Sequence, residues 1–103
     1  MAEKFSKYKP EDYLKTERDM KGYLLAAFED GSPEIITAAI GDVARACGIS
    51  KLARNQGMDR AGLYRALSKK GNPLFRTIVK TLDACGFELY VRKKQKEKET
   101  HYA

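Results

Sequence analysis

Apolar side chains first fall into register at Met20, Tyr23, Leu24, Ala27 and Phe28, three or four positions apart, the spacing of one helix face. Thr16 and Asp19 ahead of them have the spacing of a capping box, with Asp in place of Glu or Gln, and Gly31 supplies the stop. Ser32-Pro33-Glu34 then restarts a helix: Ser at the N-cap, Pro at the first helical position and an acid in the first turn. Ile36, Ala39, Ile40, Val43 and Cys47 form its apolar stripe, and Gly48 ends it. These two helices are expected to scaffold the core.

Shorter periods follow. The pattern predicts a helix over 51–56, capped by Ser50 and closed by Gly57, and another over 60–68, capped by Asp59. Lys69-Lys70-Gly71 reads as a loop, and Asn72-Pro73 starts a helix with Phe75, Ile78, Val79 and Leu82 turned inward and Gly86 at its end. Residues 87–92 alternate with period two, as in a half-buried strand. Such a strand needs a partner: the N-terminal arm, where 4–9 is the other extended stretch, or its copy in a second subunit. Residues 1–15 read as that arm, broken by Pro10 and pinned by Phe5 and Tyr8. Residues 16–92 form the folded domain, and 93–103 are a mobile polar tail.

Composition narrows the function. The 103 residues suit a single core, and no apolar run approaches the ~20 residues of a membrane span. No secretory leader is read at the N-terminus, so a cytoplasmic protein is expected. Cys47 and Cys85 have no Cys or His at metal spacing and read as small buried residues at helix ends, with a redox switch as the other reading. Around His101 no Ser-His-Asp or Cys-His set assembles, and no Gly-rich phosphate loop occurs. Neither an enzyme nor a cofactor or metal is expected.

The charge is divided along the chain. Residues 1–48 hold 7 basic and 9 acidic side chains, whereas 49–103 hold 13 and 5. Within 49–82 eight basic residues face Asp59 alone. Charge by itself leaves two readings open, a footprint for a polyanion and a solvated basic surface.

The spacing of small and apolar residues carries more. Ala53, Gly57 four later and Leu63 six later have the spacing of a helix-turn-helix, placed at about 49–68. Leu52 and Ala53 fill the inner face of the first helix, Gly57 takes a positive φ, Met58 plugs the turn, and Leu63, Ala66 and Leu67 face the core. Gln56 stands where such motifs prefer an apolar side chain. With Leu63 and Leu67 inside, Arg60, Ala61, Tyr64, Arg65 and Ser68 point out. Arg pairs with guanine, Ala meets the thymine methyl, and Tyr or Ser bonds bases or phosphates. Arg60, Ala61, Tyr64 and Arg65 are the candidate base readers; Ser50, Lys51, Ser68, Lys69, Lys70 and Asn72 are the candidate backbone contacts. Gly62 in the second helix has two readings, close seating of the helix or a gap beside a core side chain.

Asp12-Tyr-Leu-Lys, Ile40-Gly-Asp-Val-Ala-Arg, then Leu52-Ala-Arg-Asn-Gln-Gly-Met-Asp-Arg-Ala-Gly-Leu-Tyr-Arg-Ala-Leu-Ser and Gly71-Asn-Pro resemble the addiction-module antidote proteins, HigA-like antitoxins of the lambda-repressor-like helix-turn-helix group. The resemblance spans roughly residues 12–91 and departs at Lys69-Lys70, where a less basic loop is expected. It implies an all-α, lambda-repressor-like bundle of about five helices, here with the C-terminal β-strand. It also implies repression of the protein's own operon as a homodimer on double-stranded DNA with a palindromic operator, and a RelE/HigB-like ribonuclease toxin as partner. The N-terminal arm and the helix from Thr16 to Asp30 are the expected toxin-neutralising elements, ahead of the tail. Two other readings stand beside this one: a phage- or plasmid-type repressor without a toxin, and a protein-interaction module whose basic face takes an acidic partner.

Overall fold

In the computed structural model, which describes residues 9–94, Thr16 and Asp19 close the capping box that their spacing predicts. The Asp19 amide donates to Thr16 Oγ1 at 3.0 Å, and the Thr16 amide donates back to Asp19 Oδ2 at 3.1 Å. Helix α1, Glu17–Asp30, runs from this box to Gly31. Helix α2, Pro33–Cys47, begins on the expected proline, but the Ser32 hydroxyl bonds the Glu34 carboxylate at 2.9 Å rather than a first-turn amide. Three shorter helices follow: α3 Ile49–Asn55, α4 Arg60–Ala66 and α5 Phe75–Ala84. Ahead of α1, Pro10–Tyr13 makes one 3-10 turn, which Pro10 tolerates at its start because no amide hydrogen is needed there.

Helix α2 is the axis of the molecule. Six consecutive residues, Ala39 to Ala44, are buried, so the helix is covered on every side rather than along one stripe. Helix α1, the 3-10 turn, α3 and α5 all pack against it, and α4 packs on α3. Val43, Ala44, Leu63 and Leu67 are fully enclosed at the centre. Leu14, read as part of the arm, is buried in this same core.

Several expectations are corrected. Ser50 is not a cap: Gly48 ends α2 and also begins α3, which places Ser50 inside the first turn. Helix α5 starts at Phe75 and not at Asn72-Pro73. Pro73 disfavours helical backbone at Asn72, and extended Leu74 is the N-cap, its carbonyl accepting from Ile78 at 3.2 Å. Of the four residues expected inward, Leu82 is buried and Ile78 packs on the core, but Thr77 and Thr81 complete the inner face and Phe75 is 71% exposed. Val79 and Phe28 likewise lie at the surface. No strand forms over 87–92 within the described residues; Phe87 packs on the core, but Leu89, Tyr90 and Val91 are exposed. A strand exists only by pairing, and no described segment offers an edge. Phe5, Tyr8 and most of the 4–9 stretch lie outside the described residues, as does His101.

The oddity at Gln56 has a partner. Its Nε2 donates to Thr81 Oγ1 at 2.9 Å, so the turn is tied to α5 through one part-buried polar pair. Thr81 is fully buried at this contact. Among the described residues no helix is long and apolar enough to cross a membrane.

Candidate nucleic-acid interface

The turn between α3 and α4 is built as its residues dictate. Gly57 takes φ +68°, which L side chains rarely adopt, and the half-buried Met58 closes the turn from within. Asp59 then caps α4, its Oδ1 accepting the Gly62 amide at 2.7 Å. A Cβ on Gly62 would lie 2.7 Å from that oxygen. No core side chain lies within 4 Å of that position, so Gly62 does not face a gap beside the core; its near neighbour is the capping carboxylate.

With Leu63 and Leu67 fully buried, the opposite side of α4 faces outward. Arg60, Ala61, Tyr64 and Arg65 are all exposed and line one open concavity. The face thus combines two guanidiniums, a methyl and a phenol on a single helix. Lys51 and Arg54 are exposed on α3, and Lys69, Lys70 and Asn72 on the loop after α4. Asp59, the one acid within 49–82, has its carboxylate engaged as the cap. Ser50 is exposed, whereas Ser68 is half-buried and its hydroxyl donates to the Arg65 carbonyl at 2.9 Å. That proton closes the end of α4, so a contact from Ser68 to a phosphate would require the hydroxyl to turn.

A second layer behind α4 has no counterpart in the sequence reading. Arg45, from the last turn of α2, lays its guanidinium over the Tyr64 ring, 4.9 Å from the centroid. The same guanidinium is paired with Asp42 and, at 3.4 Å, with Glu11. Asp42 is buried and also accepts the Tyr23 hydroxyl at 2.5 Å. The only trace in sequence is an acid and a base three apart within the apolar stretch of α2, a spacing that allows a pair but does not reveal its surroundings.

The cysteines carry no comparable chemistry. Cys47 and Cys85 are free and half-buried, and the Cys47 thiol contacts Met20 Sδ at 3.7 Å. Burial, reinforced by the neighbouring Cys47, pushes the Cys85 thiol far above its ordinary range, away from the reactive thiolate. Among the described residues no group of His, Cys, Asp and Glu is arranged to hold a metal ion.

Comparison with known proteins bears on the whole chain. A family model described as "probable addiction module antidote protein" matches residues 4–93. An uncharacterised protein of Haemophilus influenzae strain Rd is 36% identical over 92 residues, which cover 89% of this chain and 95% of that protein. No solved structure matches the present chain. By its match along nearly its full length, the chain belongs to the addiction module antidote family, the antitoxins of such modules.

Proposed function

We propose that this antitoxin-family chain is a HigA-like, sequence-specific DNA-binding autorepressor that also neutralises a RelE/HigB-like ribonuclease toxin by direct contact. The observation that carries the DNA reading is the outward face of α4, where Arg60, Ala61, Tyr64 and Arg65 line one concavity. Helix α3, the turn and α4 serve as a helix-turn-helix, with the start of α4 entering the major groove. Arg60 there makes paired hydrogen bonds to guanine, Ala61 meets a thymine methyl, and Arg65 reads a base or clamps a phosphate. Lys51, Lys69, Lys70 and Asn72 hold the flanking backbone, where most of the affinity and little of the specificity arises.

A two-fold homodimer matches a palindromic operator. Leu74, Phe75, Tyr90 and Val91, all more than half exposed, supply apolar surface for a second copy towards the C-terminal side. The acidic half of the chain, with α1 and the segment before it, is left for the basic toxin. Fluorescence anisotropy on duplex DNA from upstream of the gene, beside a scrambled duplex, tests the DNA reading. Preference for the first duplex, weakening steeply with salt, is expected; equal binding to both would reduce the basic face to a solvated surface. Co-purification with the product of the adjacent reading frame tests the toxin, and its absence favours a repressor without one. Light scattering at tens of micromolar, an order of magnitude suited to a stable dimer, should return twice the monomer mass.

A further inference from the structure

We infer that Arg45 is a positioning residue for sequence reading, although it lies on α2, outside the DNA-facing helix. This rests on the DNA reading of α4 and adds to it a residue that touches no DNA. Tyr64 is the one aromatic of the exposed quartet and is 46% exposed, so it is open to solvent yet in contact with the protein. What holds it is the Arg45 guanidinium, 4.9 Å from the ring centroid. An arginine beside a nucleic-acid surface would ordinarily be a phosphate contact. Here its side chain is only 19% exposed and its charge is matched twice, by Asp42 on its own helix and by Glu11 at 3.4 Å. Asp42 is fixed in turn by the Tyr23 hydroxyl. The guanidinium is thus locked by carboxylates of α2 and the N-terminal segment, and lies over the Tyr64 ring.

That arrangement restricts the Tyr64 ring before any DNA arrives. A side chain already held in its bound rotamer loses less entropy on binding and discriminates better between bases, because it does not adjust to the wrong one. Since Arg45 neutralises no phosphate, its removal releases no fewer counterions. The role therefore has a signature: specificity changes while the salt dependence does not.

The test is a binding-site selection with wild type, Arg45→Gln, Arg45→Lys and Tyr64→Leu, followed by affinities at several salt concentrations. Arg45→Gln should relax preference at the same base pair as Tyr64→Leu and weaken the selected operator about two- to fivefold, the worth of an exposed cation–π contact. Scrambled duplex should bind as before, with the salt slope unchanged. Arg45→Gln combined with Tyr64→Leu should be no worse than Tyr64→Leu alone, because each removes the same contact. Arg45→Lys keeps a cation beside Asp42 but loses the guanidinium over Tyr64; it decides the matter if the glutamine variant does not fold. An unchanged consensus in both Arg45 variants, or equal weakening of operator and scrambled DNA, would overturn the positioning role alone. A wild-type selection with no consensus would remove the DNA reading and this role together.

Discussion

Gly41 and Leu67 lie so close that a Cβ on the glycine would stand 2.2 Å from the Leu67 carbonyl oxygen. Gly41 is in the middle of α2, and Leu67 is the C-cap of α4, so this contact sets how near α4 lies to the axis of the molecule. The obstacle is main chain, which has no rotamer by which to step aside. Gly41→Ala should therefore cost at least the ~1–3 kcal/mol usual for overpacking, despite alanine's better helix propensity. Urea denaturation measures this. A variant as stable as wild type would mean that α4 moves freely on α2.

The bond between Gln56 and Thr81 gives a second prediction. Thr81→Val takes the acceptor from the half-buried Gln56 amide, at about 1 kcal/mol. Adding Gln56→Leu should return much of that loss, because two apolar groups then meet. A double-mutant cycle on unfolding free energies reads the coupling, and strict additivity would show that water already serves Gln56.

Acid should loosen the start of α1. The amides of Lys15 and Thr16 both donate to the Asp19 carboxylate and hold its pKa below the ordinary aspartate value. A depressed folded value means that the unfolded chain takes up the proton first. The stabilisation is thus complete above the ordinary aspartate value and lost as pH falls through the folded one. Asp19→Asn should flatten this part of the acid limb in thermal melts recorded against pH. An unaltered acid limb would place the loss elsewhere.

The loop after α4 is expected to act on all DNA alike. Replacing Lys69 and Lys70 with alanine should weaken operator and scrambled duplex similarly and reduce the salt slope by about one unit per lost contact. An unchanged slope would take this loop off the binding surface.

Arg60 is the sharper probe of sequence reading. It opens α4 and is exposed, where a helix entering the major groove reaches deepest. Arg60→Ala should cost ~1–3 kcal/mol on the operator and relax one base pair per half-site, with toxin binding intact. Uniform weakening with the same consensus would make Arg60 a backbone contact and leave the reading to Ala61, Tyr64 and Arg65.

What the sequence determined by itself is what its neighbours along the chain decide. The Thr16 box, Pro33 at the start of α2, Gly57 in the turn and the Asp59 cap are each settled within four residues, by hydrogen bonds and backbone sterics that need no distant partner. The outward face of α4 was legible for the same reason, since Leu63 and Leu67 fix which side is buried. Tertiary structure decided whatever depends on a partner far along the chain. Phe75 and Val79 have the spacing of a core stripe, yet α5 packs through Ile78 and Leu82 and buries Thr81, whose hydroxyl accepts from Gln56, 25 residues earlier. Residues 87–92 have the alternation of a strand, but a strand is a property of two segments, and the described chain supplies one. The room that Gly41 leaves for Leu67, and the Arg45 guanidinium over Tyr64, join residues that periodicity treats as unrelated. Such contacts arise from the crossing of helices, and no local pattern records where two helices cross.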